Sequence, residues 1–138
     1  MVRVYIHSFN CAASSVSHTV RWRCVSCASL PGSTCANAVN IAAVPFTQNC
    51  MTTCGYGNDY SSANACFSSY MNGDDFVYSY TPATNQCINV TLTGTLTWTG
   101  VFITNGCPTT GSCVAQATSI AGNPSVTNVN LLAGNTYY

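Results

Sequence analysis

All three carboxylates of this chain lie within residues 59–75, and they are the side chains best suited to chemistry. The sequence contains no glutamate, and its acidic residues are Asp59, Asp74 and Asp75. They stand beside asparagines in a turn-rich segment, and Ca²⁺ takes about six to eight oxygens from carboxylates, amides and backbone carbonyls. The segment therefore predicts a calcium site. Its predicted ligands are Asn58, Asp59, Asn72, Asp74 and Asp75.

Turn formation offers a second explanation for the same residues. The pair Asn72-Gly73 is a strong turn dipeptide, and Asp59 follows Gly57-Asn58, where its side chain can cap a local turn. The sequence lacks the spacing of an EF-hand loop, so two separate loops have to converge before they can bind calcium. Both explanations stay open on the sequence, and the turn role is the favoured one.

Catalysis by these carboxylates is not expected. Asp74 and Asp75 are adjacent, so on a strand their side chains point to opposite faces and cannot act as a facing acid and base. After residue 23 the chain has no Arg, Lys, His or Glu to assist Asp59. The sequence therefore predicts a protein that is not an enzyme.

Aromatic residues around the acidic residues suggest a different kind of site. Flat rings suit wet binding sites and stack on the faces of sugars. Tyr56, Tyr60 and Tyr70 are the predicted ligand contacts, with Trp98 and Phe102 extending the surface. The alternative places the aromatic residues of predicted strands in the core. These residues are Phe76, Tyr78, Tyr80 and Trp98.

Composition limits the classes of protein to which the chain can belong. Only 4% of the 138 residues are charged and the net charge is zero. Nucleic-acid binding is excluded because it needs clustered Lys and Arg. No apolar run reaches the roughly 18 to 20 residues of a membrane span. The ten cysteines form no paired CxxC motifs, and so they predict disulfides in an oxidising, extracellular setting rather than zinc.

Short alternating stretches separated by turn signals predict an all-β domain. An antiparallel β-sandwich of jelly-roll type fits such a series. Phe76, Tyr78 and Tyr80 are predicted to face inward, and Gly100 is predicted to be a bulge or bend. The predicted strands are residues 39–46, 75–81, 87–94, 95–104, 113–120, 125–133 and 136–138.

The chain divides into two unequal parts. Residues 1–30 hold every Arg and His and show no clear periodicity, so they are predicted to be an atypical, poorly ordered or extraneous leader. Residues 31–138 are the predicted sandwich module. The chain closes on "GNTYY", which resembles the start of a strand. We therefore expect a C-terminally truncated fragment that lacks its last strand.

Several motifs occur in an order that resembles a known type of module. They are "TCGYGNDYSSANAC", "YMNGDDFVYSYTP", "CINVTLTGT", "GVFITNGCP" and "AGNPSVTNVNLLAGNTYY". Over residues 35–138 they resemble the cysteine-bearing β-sandwich modules related to the pre-peptidase C-terminal (PPC-like) and CUB-like jelly rolls. Such modules belong to large secreted or cell-surface bacterial proteins, often with a type IX secretion sorting tail. In that family the final strand continues beyond "TYY", and Cys50 lies outside its pattern.

Cysteine pairing is proposed with this resemblance in view. Cys54 and Cys66 flank one loop, and Cys107 and Cys113 flank a Pro/Gly turn, so each pair is expected to form a disulfide. The third expected bond is Cys35–Cys87, and Cys35–Cys50 remains an alternative to it. Cys50 is otherwise the odd cysteine. Its possible partners are Cys11, Cys24 and Cys27.

Together, these observations predict a non-catalytic accessory module of a larger secreted bacterial protein. It is expected to assist adhesion or to bind a glycan or a cell-surface protein, with calcium as a candidate stabilising ion. The alternative is a structural spacer beside a secreted protease or other hydrolase. The expected partners are neighbouring domains of the same parent protein, and neither nucleic acid nor a membrane span is expected.

Overall fold

A computed structural model describes residues 30–138, and this part of the chain is all-β. The predicted leader, residues 1–30, therefore lies outside the described residues except for Leu30, and so do Cys11, Cys24 and Cys27. The strands are β1 (Val39–Asn40), β2 (Tyr78–Ser79), β3 (Gln86–Thr91), β4 (Thr99–Asn105), β5 (Ser112–Ser119) and β6 (Ser125–Leu131). Two single-turn 3₁₀ helices span Cys35–Asn37 and Ser69–Met71.

The last three residues join several strands into one hydrogen-bonded layer. Strand β1 pairs with β2 in parallel, and β4 pairs with β5 as an antiparallel hairpin. Tyr137 bridges to Tyr80, just after β2, and to Asn105 at the end of β4. Tyr138 and Thr104 exchange backbone hydrogen bonds of 2.9 and 3.0 Å. Residues 136–138 thus lie between β2 and β4, as their predicted strand character requires.

Strands β3 and β6 form a second antiparallel pair with one apolar face. Ile88 and Val90 alternate with exposed Cys87, Asn89 and Thr91, as the sequence predicts. The register shifts between Ile88 and Val90. On β6 the irregularity falls at Asn128, whose φ of 56° is left-handed and whose N–H donates to Asn89 Oδ1 at 2.8 Å. Val126 and Val129 are therefore both buried although they are three positions apart, which in a regular strand would place them on opposite faces.

The main core lies between this pair and the larger layer. Ile103 of β4 and Tyr137 pack there with residues of β6, and Leu131 of β6 is 1% exposed. The hydroxyl of buried Thr104 donates to the Gly106 carbonyl at 2.8 Å, so the core holds no unpaired hydroxyl at this point. The buried residues of this cluster are Ile103, Val126, Val129, Leu131 and Tyr137.

A second cluster lies beneath the acidic residues and corrects the predicted inward face around β2. It contains Tyr60, Cys66, Met71 and Val77. Val77 is the buried residue near β2, whereas Phe76 and Tyr78 are only half-buried, so the predicted inward face is wrong at these positions. Tyr80 is also half-buried, but it does pack against the main core. The parallel pairing with β1 sets this orientation, because Val77 N–H and C=O bond to Gly32 and Val39.

The predicted bulge at Gly100 is also corrected. The register of β4 shifts between Ile103 and Thr104, and Gly100 pairs regularly with Thr118. A Cβ on Gly100 would lie 2.6 Å from the ring of Phe102, so glycine is needed there for packing. Glycine occurs inside a strand either at a bulge or where a neighbouring group approaches the backbone closely. The sequence alone does not distinguish these two reasons.

The disulfides differ from all three predicted pairs. Cys35 bonds Cys107, and Cys66 bonds Cys113. Cys107 and Cys113 do flank a turn, but they bond two other loops instead of each other. Ala65 N–H donates to Pro108 C=O at 3.0 Å, so the loop that carries Cys66 packs on this turn. Cys54 lies in an exposed loop, and the predicted Cys54–Cys66 bond is absent.

The predicted Cys35–Cys87 bond and the alternative Cys35–Cys50 are also wrong. Cys87 lies on the exposed face of β3, while Cys35 sits in a 3₁₀ helix that packs against the second cluster. Cys50, Cys54 and Cys87 are exposed thiols without a disulfide partner among residues 30–138. The sandwich and jelly-roll arrangement stays a prediction beyond the all-β class. Within the described range, no helix is long and apolar enough to cross a membrane.

Candidate functional site

The carboxylate of Asp75 organises the loop that precedes it. Its Oδ2 accepts hydrogen bonds from the backbone N–H groups of Asp59 (3.1 Å) and Tyr60 (2.9 Å). Asp75 N–H in turn donates to the Gly57 carbonyl at 2.9 Å. Burial raises the pKa of Asp75 from its ordinary value of 3.8, against the effect of the two backbone hydrogen bonds, and Asp59 and Asp74 raise it further. This carboxylate therefore holds two loop segments together.

The remaining candidate calcium ligands make similar contacts. Asp74 Oδ2 accepts from Gly55 N–H at 2.8 Å, and Asn72 Oδ1 accepts from Ser62 N–H at 2.8 Å. The Asn58 amide, with its nitrogen turned inward, donates to the carbonyls of Tyr60 (2.6 Å) and Gly73 (3.2 Å). Three of the predicted ligands thus accept backbone hydrogen bonds, which is the behaviour of turn and loop residues.

The described residues contain no group of three or more His, Cys, Asp or Glu side chains placed to hold a metal ion. Asp59, Asp74 and Asp75 are close enough for charge repulsion to affect Asp75, and one oxygen of Asp74 and one of Asp75 already accept backbone amide hydrogens. The calcium site stays a prediction that these contacts do not support.

Two of the three predicted tyrosine contacts are structural. Tyr60 is 5% exposed, and its hydroxyl accepts from Cys35 N–H at 2.8 Å and lies 3.0 Å from Cys35 Sγ. Burial raises its pKa. Tyr56 is half-buried and packs edge-on against Phe76 with ring centroids 4.9 Å apart. Phe102, half-buried, packs against the second cluster.

Tyr70 and Trp98 form the exposed pair, which we call the aromatic platform. Their ring centroids are 5.6 Å apart and their planes differ by 33°. Trp98 is 66% exposed and Tyr70 is half-buried. The two rings are therefore close together and tilted, and Trp98 carries most of the exposed surface of the pair.

Each ring is held by the chain around it. Ser68 caps the 3₁₀ helix Ser69–Met71, and buried Met71 anchors that turn in the second cluster, which leaves Tyr70 at the surface. Trp98 immediately precedes β4, and its N–H donates to the Ile120 carbonyl at 3.2 Å, just after β5. The aromatic platform thus rests on a disulfide-linked loop on one side and on the β4–β5 hairpin on the other.

The backbone of Trp98 is in an unusual conformation. Its φ is 60°, in the left-handed region that costs a bulky residue roughly 1–2 kcal/mol. A large ring that is exposed and conformationally strained contributes little to folding. Strained backbone conformations are concentrated at functional sites, where they orient a side chain for binding or catalysis.

A depression of about 350 Å³ lies beside the platform. It is lined by Ser69, Tyr70, Asn72, Gly73 and Trp98. Asn72 Oδ1 is occupied by Ser62 N–H, so the amide nitrogen is left as a free donor among the described residues. A Cβ built on Gly73 meets nothing within 4 Å, which keeps this wall of the depression open. Apolar rings and neutral polar groups therefore meet at one place on the surface.

The sequence predicts both rings of this pair as parts of a binding surface, Tyr70 as a ligand contact and Trp98 as an extension of it. The alternation of Leu96 and Trp98 also predicts a core role for Trp98, and that alternative is wrong. Leu96 (85%) and Trp98 (66%) are both exposed, because β4 begins only at Thr99 and residues 92–98 are not part of a strand. The Thr-Gly-Thr run before Leu96 is the signal for a turn at this point, and it did not place Trp98 beside Tyr70.

Comparison with known proteins gives no relative for this chain. No family model, curated protein or solved structure matches it. The resemblance to PPC-like and CUB-like modules therefore stays a prediction, and the function rests on the geometry of the site.

Proposed function

We propose that residues 30–138 are a non-catalytic binding module that holds a sugar ring of a glycan against the aromatic platform. The proposal rests mainly on the environment of Trp98. This side chain is 66% exposed and packs beside Tyr70 at the edge of a depression, and its backbone has a strained, left-handed φ. Neighbouring rings at the surface offer the apolar area on which the C–H faces of sugars stack.

The polar surroundings support the same ligand. Ser69 and Asn72 line the depression and supply neutral hydrogen-bonding groups for sugar hydroxyls. A concave apolar surface with a few placed polar groups is the usual form of a small-molecule site. Among the described residues, no His, Lys, Arg or Glu stands near the platform to act on a bound glycan, since the sequence has none after residue 23.

An extracellular setting supports the role of an accessory module. The bonds Cys35–Cys107 and Cys66–Cys113 connect three segments of the chain, and disulfides persist in oxidising environments. A module of a larger secreted or cell-surface bacterial protein, assisting adhesion or presenting a neighbouring domain, is the biological context we propose. In that context calcium is a candidate stabilising ion for the acidic residues, although their side chains already accept backbone hydrogen bonds.

Protein binding is the second candidate, because further apolar side chains lie near Trp98. Leu96 is 85% exposed and Ile120 is 61% exposed, and Ile120 bonds to the Trp98 backbone. A partner protein would bury Leu96 and Ile120 together with Trp98. A sugar stacked on Tyr70 and Trp98 needs neither of the aliphatic residues.

The test is binding to an array of immobilised glycans, followed by calorimetry with the best oligosaccharide. Trp98→Ala is expected to weaken binding at least about tenfold, which corresponds to about 1.4 kcal/mol. Phe67→Ala is the matched control, since Phe67 is 78% exposed, has a similar left-handed φ of 50° and does not line the depression.

Two further variants separate the candidates. Leu96→Ser and Ile120→Ser are expected to leave glycan binding unchanged. Equal losses from Phe67→Ala and Trp98→Ala would contradict the platform. Absence of any glycan ligand, together with an unchanged melting temperature of the parent chain in the presence of every sugar, would leave the spacer role as the better explanation.

A further inference from the structure

The charges around the aromatic platform are of one sign. Residues 30–138 contain three aspartates and no Lys, Arg or His, because all cationic and His residues of the chain precede residue 24. Asp74 directly follows Gly73, which lines the depression, and Asp74 is exposed. A carboxylate or sulfate on a ligand would therefore meet a like charge and, among the described residues, no cation.

The polar groups of the depression are neutral and their orientation is partly fixed. Asn72 Oδ1 accepts from Ser62 N–H at 2.8 Å, which turns the amide nitrogen outward as a donor. The hydroxyl of Ser69 can donate or accept. Such groups match the hydroxyls of a sugar, which also donate and accept. Recognition of an anionic group uses Arg or Lys instead, often in a bidentate geometry.

The size of the depression limits the ligand to a short stretch of glycan. Its volume of about 350 Å³ is near the lower end of the roughly 300–1,000 Å³ found for ligand pockets. Two rings whose centroids lie 5.6 Å apart offer a stacking surface for one sugar or two adjoining sugars. The remainder of a longer chain would extend into solvent.

From these observations we infer that the platform selects uncharged sugar rings and discriminates against uronates, sialylated sugars and sulfated sugars. The inference rests on the proposed glycan-binding function and names its ligand class. Selection arises because a neutral sugar loses no charge hydration on binding, whereas an anionic sugar approaches exposed Asp74 and residues 30–138 supply no compensating cation. Exposed charges act in water, so the discrimination is moderate and depends on salt.

The experiment uses the full chain and two stages. An array that carries neutral and acidic oligosaccharides of several backbones is screened first, and all bound glycans are expected to be neutral. Calorimetry then compares a matched pair of one bound backbone, such as hexamers of β-1,4-linked glucose and β-1,4-linked glucuronate. The uronate is expected to bind at least about fivefold more weakly at low salt, which corresponds to about 1 kcal/mol.

Salt and one substitution test the cause of this preference. Raising the salt from about 0.01 M to about 1 M shortens the Debye length from about 30 Å to about 3 Å, so the preference is expected to narrow. Asp74→Asn is expected to narrow it at low salt, while the amide oxygen still accepts from Gly55 N–H. Asp59→Asn is the matched control, because the Asp59 carboxylate lies beside Gly57, whereas Asp74 directly follows Gly73, which lines the depression.

The outcomes separate the inference from the proposed function. If the uronate binds as tightly as the neutral hexamer or more tightly, the glycan site stands and the inference fails. If Asp74→Asn and Asp59→Asn change the preference equally, Asp74 is not its source and the electrostatic account fails. If no glycan of either kind binds, the proposed function fails and the inference fails with it.

Discussion

Trp98 lies against Tyr70 with ring centroids 5.6 Å apart, while its own backbone holds a left-handed φ of 60°. The left-handed backbone of Trp98 costs folding free energy, and the same residue supplies an exposed aromatic ring. Glycine adopts φ near 60° without a steric penalty, whereas Trp and Ala both carry it. The platform therefore predicts opposite effects of the residue at position 98 on folding and on binding.

We expect Trp98→Gly to be more stable than Trp98→Ala by roughly 1 kcal/mol, although glycine usually destabilises. Both variants are expected to lose at least about tenfold in glycan affinity, since neither retains a ring beside Tyr70. Urea unfolding gives the two free energies of unfolding, and calorimetry gives the affinities. A glycine variant less stable than the alanine variant would show that position 98 is not left-handed in solution.

Gly73 provides a test of the depression that leaves both rings in place. A Cβ at this position meets nothing within 4 Å, and the residue is not in the left-handed region. Gly73→Ala is therefore expected to be as stable as the parent chain or slightly more stable, with a gain in unfolding free energy of up to about 1 kcal/mol. The melting temperature is expected to stay the same or to rise slightly. The added methyl group enters the depression, so glycan affinity is expected to fall.

A matched glycine is available for comparison. Gly55 also has open space around its Cβ position, but its φ of 86° is left-handed, so Gly55→Ala is expected to destabilise the fold without narrowing the depression. Unchanged glycan affinity in Gly73→Ala, measured under conditions where the parent chain binds, would place the ligand elsewhere on the surface.

Local patterns predicted the parts of the fold that depend on neighbouring residues. The alternation of Ile88 and Val90 placed β3 correctly, and the Gly-containing turn between Cys107 and Cys113 is present between β4 and β5. Local sequence patterns do not show which strands pair when they are far apart in the sequence. The inward side of β2 depends on its parallel partner β1, which lies about 40 residues earlier, and so the sequence pattern alone selected the wrong face.

The candidate site was partly predictable for the same reason. The clustering of the three aspartates marks residues 59–75 as a candidate site in the sequence. The favoured explanation, that they are turn residues, agrees with the contacts of Asp74 and Asp75. Tyr70 was identified by its residue type. Its proximity to Trp98 depends on how the loop carrying Cys66 is attached to the β4–β5 turn, and neither loop contains that information by itself.

Disulfide mapping provides a direct test of the attachment. Chymotrypsin cleaves at aromatic residues and leaves Cys107 and Cys113 in one peptide, because no aromatic residue separates them. We expect this peptide to be linked to two others, one carrying Cys35 and one carrying Cys66, under non-reducing conditions. A peptide with an internal Cys107–Cys113 bond and no attached partner would contradict the structure.

Stability measurements distinguish bonded cysteines from exposed ones. Loop closure over separations of 72 and 47 residues predicts that each disulfide contributes about 4 kcal/mol. The double variant Cys66→Ser/Cys113→Ser is therefore expected to lower the melting temperature strongly. Cys54→Ser is the control and is expected to leave it unchanged, because Cys54 is exposed and makes no disulfide with a described residue.

The contacts of the acidic residues predict a weak response to calcium. Oxygens of Asp74 and Asp75 already accept backbone hydrogen bonds, so we expect the same melting temperature with millimolar calcium and with excess chelator. A ligand at 100 times its dissociation constant would add about 2.7 kcal/mol, which is several degrees for this size of domain. A rise that Asp74→Ala abolishes would instead establish a metal site.

Asp75 predicts a particular dependence of stability on pH. Burial raises its pKa above the ordinary 3.8, with Asp59 and Asp74 adding to the effect, so the folded chain holds the proton more tightly than the unfolded chain. Stability from this residue is then fully present below pH 3.8 and is lost as the pH rises through the raised pKa. The free energy of unfolding is expected to fall across that window in the parent chain more than in Asp75→Asn.

A second substitution separates the charge of Asp75 from its hydrogen bonds. Asparagine retains an oxygen that can accept from Asp59 and Tyr60 N–H, so Asp75→Asn is expected to be at least as stable as the parent chain at pH 7. Alanine removes both bonds, and Asp75→Ala is expected to cost about 1–3 kcal/mol. Urea unfolding at intervals from pH 3 to pH 7 measures both effects. Parallel pH profiles for the parent chain and Asp75→Asn would show that another group controls the slope, whereas equal stability of the alanine and asparagine variants would remove the structural role of the carboxylate.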